Sequence, residues 1–217
     1  METVRFETSD AVLLEGELRL DAAAWGSAVV CHPHPQHGGS KDHPLLWAIR
    51  NALAQRGLAV LAFNFRGVMG SDGSYGGGVH EVKDVRAAIT RVRDAAPGPT
   101  LVAGWSFGAH VALTEALEDD RVDAVALVGL PTAGSSRVAL PGLPGAETLA
   151  GLGRPVLLVS GDADAFSPQD DLSELAGWIP GAEVHIVPGA DHFFWRQERE
   201  VGALVADFAE RTLRPHV

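Results

Sequence analysis

The chain has 217 residues, 46% of them hydrophobic, and its 28 acidic side chains outnumber 17 basic ones for a formal net charge of −11. Such a length and apolar share fit a single domain over residues 1–217 with a buried core, and the acidic balance argues against a nucleic-acid partner, whose phosphates need Lys and Arg. One cysteine, Cys31, excludes an intrachain disulfide and a Cys-rich metal site.

Val4 to Thr8 and Val12 to Leu20 alternate apolar and polar residues around Ser9-Asp10, the pattern of an antiparallel hairpin with one wetted face. From Ala28 onward, short apolar runs recur between helical patterns: Ala28–Cys31, Ala59–Phe63, Leu101–Gly104, Ala124–Val128, Val156–Ser160 and Val184–Val187. With the hairpin they predict an eight-stranded, mostly parallel sheet in a doubly wound α/β domain. Helices are expected over Leu45–Arg56, ended by Gly57, over Val79–Arg93, from near Ser106 and from near Glu198. Residues 132–153, rich in Gly, Pro, Ala and Ser, read as a loop or one short helix, enough for a small lid but not a cap domain. The start lacks a basic stretch leading into an apolar run, and no segment nears about 18 unbroken apolar residues, so a cytoplasmic protein with no membrane partner is expected.

Thr100 to His110 presents an apolar strand, the turn Gly104-Trp105-Ser106-Phe107-Gly108 and a helix start, the order that a nucleophile elbow requires. Such a turn strains the serine backbone where chains approach closely, so its neighbours must be small, as Gly104, Gly108 and Ala109 are. At a helix N-terminus the Ser106 hydroxyl faces backbone N–H groups, and the Phe107 N–H is positioned as one oxyanion donor.

A serine needs a base, and the base needs an acceptor on its second ring nitrogen. Val184–Val187 runs into Pro188-Gly189-Ala190-Asp191-His192, putting His192 at the same carboxyl edge of the sheet as Ser106. The loop Gly129-Leu130-Pro131-Thr132 holds no carboxylate, so the acid is expected after Val156–Ser160, where Asp162 and Asp164 compete. Asp164 is preferred because it lies farther out from the strand, and Asp162 suits a turn cap.

Cys31-His32-Pro33-His34-Pro35-Gln36-His37-Gly38-Gly39 follows the third strand, where the second oxyanion donor is expected. Pro33 and Pro35 have no N–H and His32 adjoins the ladder, which selects the His34 N–H. The competing reading is a metal site of His32, His34, His37 and His43, but no Asp or Glu falls in the loop before Asp42, so no metal and no cofactor are expected. His110 reads as a packed residue.

Together, His32-Pro33-His34-Pro35 with Gly38-Gly39, Phe63-Asn64-Phe65-Arg66-Gly67-Val68, Gly104 to Gly108, Gly161 to Pro168 and Gly189-Ala190-Asp191-His192-Phe193 resemble the α/β-hydrolase superfamily. Within it the chain is similar to small capless bacterial esterases related to dienelactone-hydrolase-like and lysophospholipase-like members. The resemblance implies an α/β-hydrolase fold, a triad of Ser106, Asp164 and His192, and an oxyanion hole of the His34 and Phe107 amides. It also departs from the pattern: Met69 stands where related sequences usually have glycine, which is expected to alter the pocket mouth. Dienelactone hydrolases proper use a cysteine where this chain has Ser106.

The expected activity is hydrolysis of short- to medium-chain carboxylic esters through an acyl-enzyme on Ser106, with a small acyl molecule as substrate and the oligomeric state left open. Met69, Trp105, Phe166 and Phe193 are the expected pocket residues, with Phe107, Phe194 and Trp195 also nearby. The same triad would serve an acyltransferase, thioesterase, amidase or peptidase, and a hydrolase scaffold can also serve as a non-catalytic binding module.

Overall fold

A computed structural model describes residues 1–132 and 140–214. Its strands are β1 (Glu2–Glu7), β2 (Leu13–Arg19), β3 (Gly26–Cys31), β4 (Leu58–Phe63), β5 (Thr100–Trp105), β6 (Ala124–Val128), β7 (Val156–Gly161) and β8 (Glu183–Val187). They form one eight-stranded sheet in the order β1-β2-β4-β3-β5-β6-β7-β8. β1 and β2 pair antiparallel, β2 meets β4 antiparallel, and the pairs from β4 through β8 are parallel.

The burial of each strand follows from its residues. β1 and β2 bury alternate side chains, whereas β3 to β7 are buried at every position, as strands covered on both faces must be. Val29, Cys31, Leu61 and Val102 point to one core, filled by helices α2 (Glu81–Ala95), α3 (Phe107–Glu118) and α5 (Gln169–Gly177). Ala28, Val30, Val60 and Leu101 point to the other, under α1 (Pro44–Gln55) and α6 (Glu198–Leu213). α1 and α6 cross closely: a Cβ at Gly202 would lie 2.8 Å from the Ala48 carbonyl oxygen.

Helix α5 is an element the sequence pattern did not announce, since only Leu172 and Leu175 are buried on it and its first turn carries Asp170 and Asp171. Of the 132–153 stretch, Thr132 donates its N–H to the Phe166 carbonyl and Ala146–Ala150 forms a one-turn helix, α4. Residues 133–139, on which the small-lid expectation also falls, lie outside the described residues. Among the described residues no helix is long and apolar enough to cross a membrane.

A buried ion pair joins the loop after β4 to α2. Asp84, with no side-chain exposure, accepts from Arg66 Nε and Nη2 at 2.9 and 2.6 Å and from the Arg66 backbone N–H at 2.9 Å. The same guanidinium reaches Asp10 in the β1–β2 turn at 3.0 Å, and so ties the hairpin, the loop and the helix together.

Candidate active site

The parallel register brings the carboxyl ends of five strands to one edge. Cys31 pairs with Gly104, Trp105 with Val128, Val128 with Val159 and Gly161 with Val187, so the loops that follow begin side by side. Ser106 is the first residue beyond β5 and has φ 56°, ψ −117°, a left-handed φ that non-glycine residues adopt only where the surroundings enforce it. Enforcement comes from contact on both sides. A Cβ at Gly104 would lie 2.2 Å from the Gly108 carbonyl oxygen, and one at Gly108 would lie 2.3 Å from that of Cys31. The Ser106 N–H donates to the Val128 carbonyl at 2.8 Å, and its own carbonyl accepts from the Ala109 and His110 N–H groups at 2.9 and 3.1 Å.

His192 Nε2 lies 2.9 Å from Ser106 Oγ, and His192 Nδ1 lies 2.8 Å from Asp164 Oδ2. A carboxylate only accepts, so Nδ1 carries the proton and Nε2 presents its lone pair to the serine hydroxyl. Asp164 has no side-chain exposure and uses Oδ1 to accept from the Phe166 and Ser167 N–H groups at 2.8 and 3.1 Å. The carboxylate therefore closes its own turn with one oxygen and orients the imidazole with the other. Asp162 points elsewhere: it is exposed and accepts from the Gly189 N–H at 2.9 Å, latching the β7 loop to the β8 loop.

Neighbours hold the imidazole in place. Trp105 Nε1 donates to the His192 carbonyl at 3.1 Å, and the Phe166 ring packs 4.6 Å from the imidazole, centroid to centroid. Gly129, in the loop that lacks a carboxylate, has φ 54°, and a Cβ there would lie 3.2 Å from the His192 ring and 3.4 Å from Asp164 Oδ2. Its value to the site is empty space, which a sequence motif does not display.

The histidine-rich loop uses its rings to accept backbone N–H groups. Phe65 N–H donates to His32 Nε2 at 3.0 Å while His32 Nδ1 lies 2.6 Å from the Pro33 carbonyl, and burial pushes its pKa down to about 4. Gln36 N–H donates to His34 Nδ1 and Leu45 N–H to His43 Nδ1, each at 3.2 Å, so these two rings cap a 3₁₀ turn at Pro35–His37 and the start of α1. A ring nitrogen that accepts from a backbone N–H has no lone pair left for a metal. Among the described residues no group of three or more His, Cys, Asp or Glu is gathered to hold one. His110 is 3% exposed, and burial lowers its pKa to about 4.

Over Ser106 lies a cavity of about 320 Å³ whose walls include His34, His37, His43, Trp105, Phe166 and Phe193, with no Asp, Glu, Lys or Arg among its lining residues. Trp105, Phe166 and Phe193 thus stand where a pocket was expected. Met69 does not: it is 77% exposed and absent from the lining. Its backbone has φ 50°, which explains why glycine suits that position and why the methionine affects the local turn instead of the pocket mouth. His43 joins the wall by packing 4.4 Å from the Trp105 ring. Two larger clefts, of about 460 and 800 Å³, border Lys83 and Arg121 and border Trp47 and Glu198, away from Ser106.

The Phe107 N–H opens helix α3 and has no carbonyl in its own helix to donate to, so it faces outward with the positive end of the helix dipole. The His34 side of the site is braced differently, its carbonyl accepting from the His37 and Gly39 N–H groups at 3.1 Å each.

A family model described as an alpha/beta hydrolase domain matches residues 27–212. An alpha-beta serine hydrolase homologue from Coxiella burnetii is 28% identical with a TM-score of 0.80, over 95% of this chain and 96% of that one. A serine hydrolase without lid from Xanthomonas campestris is 24% identical with a TM-score of 0.82, over 100% and 96% of the two chains. An esterase from Pyrococcus furiosus is 20% identical with a TM-score of 0.82, over 97% and 92%; these last two likenesses speak to the fold alone. With the family model spanning most of its length, the chain belongs to the alpha/beta hydrolase domain family.

Proposed function

We propose that the chain is a serine hydrolase of carboxylic esters that acts through an acyl-enzyme on Ser106. The observation that carries the reading is the unbroken hydrogen-bonded chain from Ser106 Oγ, at the floor of a cavity lined by no Asp, Glu, Lys or Arg, through His192 to buried Asp164. His192 Nε2 takes the hydroxyl proton as Oγ bonds to the acyl carbon, and the oxyanion is held by the Phe107 and His34 N–H groups. When the tetrahedral intermediate collapses, the ester C–O bond breaks and the imidazolium returns its proton to the departing alcohol. Water then attacks the acyl-enzyme by the same route, with His192 as base, and releases the acid. Asp164 stays ionised throughout and stabilises the imidazolium.

Largely aromatic walls without Asp, Glu, Lys or Arg favour an uncharged substrate, and about 320 Å³ suits a short- to medium-chain acyl group. The test is a p-nitrophenyl ester series of rising acyl length run beside matched thioesters and anilides. Highest kcat/KM on short or medium esters supports the reading, and turnover confined to thioesters or anilides refutes it.

A further inference from the structure

Tyr75 does not line the cavity, yet it touches both residues whose amides are assigned to the oxyanion hole. Its ring lies 5.0 Å from that of His34 and 5.8 Å from that of Phe107, and the His34 and Phe107 rings are 5.3 Å apart, so the three form one closed cluster. Tyr75 Oη is 3.1 Å from His34 Nε2. Because His34 Nδ1 accepts from the Gln36 N–H, the neutral ring carries its proton on Nε2 and donates it to the phenol oxygen. The imidazole is therefore fixed at both nitrogens.

The platform under Tyr75 is itself rigid. Buried Glu81 accepts from the Gly76 and Gly78 N–H groups at 2.6 and 2.9 Å, gripping the loop just beyond the tyrosine. On the other side the backbone packs against Gly67, where a Cβ would lie 3.2 Å from the Tyr75 nitrogen. Burial raises the Tyr75 pKa, with the Glu81 charge acting in the same direction, so the phenol keeps its proton near neutral pH.

We propose that Tyr75 is a positioning residue for the oxyanion hole, holding the His34 imidazole, and through it the His34 and Phe107 amides, in the orientation that receives the developing oxyanion. The inference rests on the serine-hydrolase reading above and adds a residue to it. Orientation matters more to the transition state than to bound ester, so disturbing it lowers kcat and leaves KM nearly unchanged.

Steady-state kinetics on the best p-nitrophenyl ester should show Tyr75→Phe, which keeps the ring and loses the acceptor, with kcat down about tenfold, the scale of one lost hydrogen bond. Its affinity for an arylboronic acid, whose tetrahedral adduct places an oxygen in the hole, should fall in parallel. Tyr75→Phe combined with His34→Ala should cost no more than His34→Ala alone, because the phenol acts through that imidazole. Tyr75 is the chain's one tyrosine, so growth on 3-fluorotyrosine labels this site alone. The ¹⁹F resonance should then move when the boronate binds, although the ring does not line the cavity, and this readout needs no substitution to fold. A Tyr75→Phe kcat within twofold of wild type, a changed KM at constant kcat, additive losses in the double variant, or an unmoved ¹⁹F line would each overturn the inference while leaving the hydrolase reading intact. A wild-type protein without ester turnover would remove that reading first, and this inference with it.

Discussion

At Gly129 the backbone takes φ 54°, and a methyl group would stand 3.2 Å from the His192 ring, so Gly129→Ala adds local strain and pushes the imidazole off its line to Ser106. A displacement well under 1 Å is enough to matter in a hydrogen-bonded relay, and we expect kcat to drop roughly tenfold or more with the fold retained. Unchanged kcat in a folded Gly129→Ala protein would contradict this role. Ser106, His192 and Asp164 were legible in the sequence because each follows a recognisable strand at the same sheet edge. Gly129 and Tyr75 were not. Gly129 contributes space beside a residue far along the chain, and Tyr75 meets His34 across 41 positions, a pairing that no local pattern encodes. The histidines illustrate the same gap: their density suggests ligands, while their use as acceptors for backbone N–H groups appears only when the loop is folded.

Among the elements, the parallel strands β3 to β7 were legible to within a residue or two because each is a short apolar run covered on both faces, and edge strand β8 because Val184, Ile186 and Val187 still mark it although it is partly exposed. Helix α5 escaped because two buried leucines beside several acids make little periodic signal, and its start at Pro168 reads equally well as a turn. The loop after β4 depends on a contact that the sequence does not advertise, the Arg66–Asp84 pair joined by Asp10. Removing one partner of a buried pair leaves the other charge poorly compensated. Asp84→Ala should therefore cost about 3 kcal/mol in urea denaturation, at the lower end of the usual range because Asp10 remains beside Arg66. A loss below about 1 kcal/mol would show that the pair does not hold the loop to α2. Since Tyr75 stands on that loop, the same variant is expected to lose activity as well as stability.

For the molecule as a whole, His110 links stability to pH. The unfolded chain protonates this imidazole near 6.5, whereas burial in the folded state delays protonation to about 4. The unfolded state thus binds more protons between these values, and the contribution of His110 is complete above about pH 6.5 and is lost as pH falls through 4. Comparison with His110→Leu isolates it: the unfolding free energy of wild type relative to the variant should fall by up to about 3 kcal/mol from pH 7 to pH 4. A difference that stays flat over that range would contradict a buried neutral imidazole.

If Ser106 is an activated nucleophile, a fluorophosphonate labels the folded protein covalently, and peptide mass spectrometry locates the modified residue. One adduct is expected, on Ser106, that is absent from Ser106→Ala and forms much more slowly in His192→Ala. No adduct on Ser106, or labelling that proceeds equally well without His192, would contradict it.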